Sequence, residues 1–89
     1  MDIVRQHIKE QVSALPHSPG VYQFVDRNGV IIYVGKAKDL RKRVSSYFVE
    51  NRDHSAKVIV LVKQIVDIRH IVVDSEQDAL LLENSLIKS

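Results

Sequence analysis

The chain has no cysteine among its 89 residues, which excludes disulfides and thiolate-held zinc. No uninterrupted apolar stretch exceeds the five residues of 30–34 or 58–62, far too short to span a bilayer. The N-terminal MDIVRQHIKEQV is amphipathic and mixed in charge, without the apolar middle of a signal peptide, so a soluble cytoplasmic protein is expected. Glycine-rich phosphate loops, GxSxG elbows and paired-carboxylate motifs are also missing. The four histidines, His7, His17, His54 and His70, fall in different elements without ligand spacing and are expected at the surface or in turns.

What is present is unevenly distributed. The length fits one domain, and a hydrophobic share of 45% is enough for a modest core. Net charge is only +2, but residues 36–43 (KAKDLRKR) hold five bases against Asp39 alone, a local charge of +4. Residues 74–83 hold Asp74, Glu76, Asp78 and Glu83 without a base, a local charge of −4. A basic patch and an acidic segment in so small a unit suit a phosphate-binding face beside a carboxylate site, or else two solvated helix faces of opposite sign.

Periodicity supplies the elements. Val4, Ile8, Val12 and Leu15 recur at helical spacing and predict a helix over 3–15, stopped by the rigid turn LPHSPG. Two β-branched and aromatic runs, 21–25 and 30–34, flank DRNG and predict a hairpin. A helix follows over 39–50 with Leu40, Val44, Tyr47 and Phe48 inward, broken by ENRDHS. Then come a helix over 56–66, a strand over 67–74, and a last helix capped by Asp74 or Ser75, with Ser75 and Asp78 resembling a capping box. The order α-β-β-α-α-β-α predicts an α+β fold, a small, largely antiparallel three-stranded sheet flanked by helices. The expected organisation is one unit over 1–89, an N-terminal helix (1–15) and a core (16–89). The last helical pattern is still apolar at Ser89, so a longer protein is expected to continue beyond it.

Hairpin register decides whether Tyr22 and Tyr33 can cooperate. A two-residue turn at Asn28 and Gly29 places Phe24 opposite Tyr33 and Tyr22 opposite Gly35, with both phenols on one side of the sheet. Gly35 then leaves room over Tyr22. A four-residue loop over 26–29 gives the same outcome. A three-residue loop with a bulge at Gly29 is expected to put the phenols on opposite faces, because a slip of one inverts every side chain.

Beyond the hairpin, Lys36, Arg43 and Tyr47 are seven and four residues apart and fall near one line to the extent that the helix covers Lys36. Arg43 presents a flat fork of donors that suits a phosphate, and Lys36 a point charge. Glu83 sits in the middle of an apolar stripe, with Ala79 and Leu80 one turn before it and Leu86 and Ile87 one turn after. A carboxylate there needs a partner: an ion pair with a base such as Arg43, or a divalent metal completed by water. Asn84 points another way around the helix and is expected to be solvated.

These residues carry a pattern. Gly20-Val21-Tyr22 followed by Tyr33-Val34-Gly35 resembles the paired motif of the GIY-YIG nucleases. SPGVYQF, IIYVGKAKDLRKRVSSYF and ALLLENSLIK are similar to the UvrC branch of that family, over about residues 15–88. The resemblance implies hydrolysis of a DNA phosphodiester with one divalent metal, Mg²⁺ or Mn²⁺. Glu83 would be the metal ligand, and Arg43 would hold the scissile phosphate. Tyr22, Tyr33 and Tyr47 would line the site, with Tyr33 as general base aided by Lys36. Lys36, Lys38, Arg41, Lys42 and Arg43 would meet DNA, and Gly20 and Gly35 would allow close backbone approach. It further implies damaged double-stranded DNA as substrate, cut on the 3′ side of the lesion, and UvrA- and UvrB-type partners engaged through other regions. Tyrosine at 47, where many relatives outside the repair subunits have histidine, favours the UvrC-like branch. The family's late asparagine lies beyond the last residue here, so weak activity of the fragment is expected. A stand-alone nuclease of the family and a DNA-docking module without catalysis are the alternatives.

Overall fold

The computed structural model describes residues 3–49, 54–74, 83, 84, 86 and 87. Its elements run α1 (Ile3–Ala14), β1 (Gly20–Val25), β2 (Ile31–Ala37), α2 (Leu40–Phe48), α3 (Ala56–Gln64) and β3 (Asp67–Val72). The strands form one antiparallel sheet in the order β2-β1-β3. This is the expected α+β arrangement, with the helices and β3 ending one or two residues early and β2 running three residues beyond its expected end. Glu83, Asn84, Leu86 and Ile87 are helical; the proposed capping box at Ser75 and Asp78 and the start of the last helix lie outside the described residues.

As the central strand, β1 is buried along its whole length, which is why all its residues but Gln23 are apolar, aromatic or glycine. Tyr22 and Phe24 point to one face and join Ile8, Leu15, Ala37, Leu40, Val44, Ile65 and Ile68 in the core. Helix α2 begins where Asp39 turns its carboxylate back to accept from the Lys42 amide at 3.0 Å, and it buries Leu40 and Val44. The Gln11 side chain binds the outer edge of β3 like a strand neighbour. It accepts from the Ile68 amide at 3.0 Å and donates to the Ile68 carbonyl at 3.2 Å. That contact ties α1 to an otherwise open sheet edge.

The hairpin corrects one sequence expectation. Its loop is the three-residue kind: the Asp26 amide donates to the Val30 carbonyl at 2.9 Å, the Gly29 amide to the Asp26 carbonyl at 3.0 Å, and Gly29 has φ +78°. That loop alone would have separated the phenols. A second irregularity between Phe24 and Val25 undoes the slip, because β1 pairs Val25 with Ile31 but Phe24 with Tyr33, leaving Ile32 as the extra residue. Tyr22 therefore faces Gly35 after all, by two compensating bulges rather than by a two-residue turn.

Candidate active site

Three elements bring the tyrosines together. Tyr22 comes from β1, Tyr33 from β2 and Tyr47 from α2, which crosses the sheet face that carries the other two. Their ring centroids lie 5.9–6.2 Å apart, and the Tyr22 and Tyr47 hydroxyls are hydrogen-bonded at 2.9 Å. Phe24 packs beneath, 5.8 Å from the Tyr33 ring and 5.1 Å from that of Tyr47. Tyr22 is 1% exposed and Tyr47 half-buried, whereas Tyr33 is 37% exposed. Tyr33 is thus the most exposed of the three phenols.

Both glycines of the paired tripeptides mark close approaches. A Cβ on Gly35 would stand inside the Tyr22 ring, 2.8 Å from Cε2 and nearer still to Cζ and the hydroxyl. A Cβ on Gly20 would lie 2.7 Å from Leu40 Cδ1 and closer to the Ile71 carbonyl oxygen. The first glycine seats the start of β1 under α2 and against β3; the second lets the Tyr22 hydroxyl pass over β2.

The electrostatics are those of a crowded, neutral phenol cluster under one cation. Desolvation pushes the Tyr22 phenol above its usual range, with Tyr33 adding to the rise, while hydrogen bonds to Tyr47 and Arg43 pull against it. Tyr33 is raised first by hydrogen bonding to Tyr47 and then by burial. Tyr47 is raised by burial and by its bond to Tyr22. The Arg43 guanidinium lies 5.5 Å from the centroid of the Tyr47 ring, and its own pKa is raised, chiefly by the Tyr22 phenol. The cation whose field favours a Tyr33 phenolate is Arg43.

Lys36 was expected on the helical line of Arg43 and Tyr47; it lies instead on β2, opposite Val21. That register sends its Cβ to the sheet face away from Tyr33, and Lys36 lines a neighbouring groove. The groove, about 570 Å³, is lined by Lys36, Ala37, Lys38, Asp39, Lys42, Arg43 and Ser46. Arg43 belongs to both groove and phenol cluster. Arg41 does not line it: its Nε donates to the Leu15 carbonyl at 2.6 Å, on the side of α2 that meets the 15–19 turn. Arg41 thus commits its Nε donor to the fold rather than to the groove.

Glu83 is half-buried in its helical segment, rather than fully enclosed, and Asn84 is exposed as expected. Among the described residues Glu83 has no ion-pair or hydrogen-bond partner, so the ion pair with Arg43 is not formed. No group of three or more metal-type ligands occurs among the described residues. A lone, unpaired carboxylate fits a cation held by one protein ligand and water.

His7, His17 and His70 are exposed and His54 is half-buried. What the sequence did not reveal is that His17 and Asp39 pair, the His17 Nδ1 lying 2.8 Å from the carboxylate that caps α2. Twenty-two positions separate them, and nothing in the spacing ties the two together.

Comparison with known proteins places this geometry. A family profile described as the UvrC-like GIY-YIG domain matches residues 18–89. The UvrABC system protein C of Christiangramia forsetii is 62% identical over 91% of this chain, and that of Flavobacterium psychrophilum 63% identical over 89%. The chain spans only 13% of the length of either. The GIY-YIG N-terminal endonuclease domain of UvrC from Thermotoga maritima, solved with its catalytic divalent cation, magnesium, superposes with a TM-score of 0.81 at 36% identity, covering 99% of this chain and 91% of that one. Variants of that domain with single tyrosine-to-phenylalanine changes also carry the cation. Profile, sequence relatives and fold agree, and the chain belongs to the UvrC-like GIY-YIG endonuclease domains.

Proposed function

We propose that this chain hydrolyses a phosphodiester in one strand of DNA, and that Glu83 holds the single divalent cation the reaction uses. The observation that carries the reading is the convergence of three phenols and Arg43 on one sheet face, next to a groove lined by lysines. The cation, Mg²⁺ or Mn²⁺, would supply positive charge that polarises the phosphoryl oxygen and steadies the leaving oxygen. Magnesium is favoured by the Thermotoga maritima domain, which was solved with it.

Each side chain has a task set by its place. Arg43 stands where groove and phenols meet, so its fork holds the scissile phosphate. Lys36, Lys38 and Lys42 line the approach and engage flanking phosphates, giving a salt-sensitive grip. Tyr33, the exposed phenol, orients the attacking water and takes its proton. Tyr22 and Tyr47 are hydrogen-bonded to each other and hold the cluster in register. With no added charge all three phenols are shifted away from ionisation, so Tyr33 acts as a base only when substrate and cation are in place.

In the whole protein we assign this chemistry to the cut on the 3′ side of a lesion in bacterial excision repair, in the cytoplasm, with UvrA- and UvrB-type proteins engaged elsewhere. Helix α1 lies wholly outside the matched residues 18–89, but its Gln11 grips β3, so we count residues 1–89 as one unit. The decisive experiment is Glu83→Ala in the full-length protein. Nicking of duplex DNA should be abolished while DNA affinity stays nearly intact. Equal loss of both would favour a docking module, a reading that the raised phenol pKa values keep in view.

A further inference from the structure

The start of α2 is held by a segment outside it. The Leu40 amide donates to the Ser18 carbonyl at 3.0 Å and the Arg41 amide to the Pro16 carbonyl at 3.2 Å. The Lys42 amide is taken by the Asp39 carboxylate. The amides of Leu40, Arg41 and Lys42 are thus all engaged within the fold, which leaves anion binding in the groove mainly to side chains. Side chains then repeat the attachment. Arg41 Nε donates to the Leu15 carbonyl at 2.6 Å, and the Asp39 carboxylate, already capping the helix, accepts from His17 Nδ1 at 2.8 Å. Hydrogen bonds from the Lys42 amide and from His17 hold that carboxyl below its usual range. The segment 15–19 runs directly into Gly20 and β1, which carries Tyr22, and its Pro19 carbonyl accepts from the Val73 amide just beyond β3 at 3.0 Å.

We propose that Arg41 and the His17–Asp39 pair are positioning residues. They register α2 against the segment that enters β1, and thereby set where Arg43 and Tyr47 stand over Tyr22. Arg41 acts within the fold and not as a phosphate contact. Its basic neighbours Lys42 and Arg43 line the groove, while its own guanidinium reaches back to Leu15. The segment fixes one end of a nine-residue helix, and Tyr47, near the other end, donates or accepts the 2.9 Å bond to Tyr22. A small tilt at the fixed end moves that hydroxyl out of hydrogen-bond range.

The catalytic consequence rests on the nuclease reading; the positional one does not. The chain has three tyrosines and no tryptophan, and all three tyrosines are in the cluster, so tyrosine absorbance reports this site alone. The test compares Arg41→Gln, Arg41→Lys and His17→Gln with the parent. It follows tyrosine ionisation by absorbance in the 89-residue chain, and affinity for a duplex oligonucleotide and nicking with Mg²⁺ in the full-length protein. All three variants should give a tyrosine ionisation curve broader than the parent's, because the Tyr22–Tyr47 bond that loosens lowers the Tyr22 phenol and raises that of Tyr47. Nicking kcat should fall about 10- to 100-fold, the scale of a misplaced catalytic group. KM and DNA affinity should stay within about twofold, as when no ground-state contact is lost. Arg41→Lys is the discriminating variant, since it keeps a positive charge but not the fixed Nε donor. Tyrosine curves that superimpose on the parent overturn the proposal. So does a loss of DNA affinity in Arg41→Gln that Arg41→Lys restores. Should Glu83→Ala leave nicking untouched, the nuclease reading falls, and the tyrosine curves still judge the positioning role.

Discussion

Helices α2 and α3 are each nine residues long, and each begins with a side-chain cap, Asp39 on the Lys42 amide and Ser55 on the Val58 amide. By composition α3 (AKVIVLVKQ) is much the more apolar, and yet none of its residues is buried, whereas α2 (LRKRVSSYF) buries Leu40 and Val44 completely. The difference is position. Helix α2 lies across the aromatic face of β1, so its few apolar residues meet Tyr22 and Phe24 while its bases line a groove. Helix α3 touches the core only through a partly buried Leu61 and leaves Ile59 and Val60 exposed. Burial follows from what an element faces, and hydrophobicity alone did not rank these two.

The contrast can be broken or sharpened by substitution. The largest effect belongs to Arg43→Ala, which should cost nicking on the order of 10²–10³-fold and weaken DNA binding as well, measured by single-turnover cleavage and titration. In stability, Leu40→Ala should lose about 2–5 kcal/mol in urea unfolding, because it empties a fully enclosed site. Ile59→Ala, on the more apolar helix, should stay within about 0.5 kcal/mol; a loss as large as that of Leu40→Ala would erase the distinction. The two caps should also differ. Asp39→Ala should lower the unfolding midpoint more than Ser55→Ala, since Asp39 also binds His17.

The smallest effect is a pH dependence confined to the α2 side. All three phenols are raised in the folded chain, so folding favours their protonated forms. The stability they contribute is complete below the ordinary tyrosine pKa of about 10 and is lost as pH rises through the higher folded values. Absorbance titration should show no tyrosine ionising below its unfolded counterpart, and the share of the unfolding free energy that these phenols contribute should decline in that alkaline window.

Much of this was legible in the sequence, for reasons that differ by element. Helices α1 and α2 and the hairpin declared themselves through period and turn residues, and Tyr22, Tyr33, Arg43 and Tyr47 could be placed together because helix and strand spacings are fixed. The loop was misread because Asn28 and Gly29 suit a two-residue turn, and nothing local to DRNG announces a second bulge at Ile32. Arg41 looked like one more base in KAKDLRKR because sequence does not show which side of α2 meets the 15–19 turn. Lys36 was aligned with Arg43 and Tyr47 only to the extent that the helix covers it; β2 runs on to Ala37 and α2 starts at Leu40, so the alignment does not hold.

The paired bulges carry a consequence for how such a scaffold changes. Because the slip made at the tip is reset at Phe24, the geometry of the distal loop is insulated from the phenols below it. A lengthened or grafted tip has only to preserve parity where the strands rejoin, and the chemistry beneath would not register the exchange.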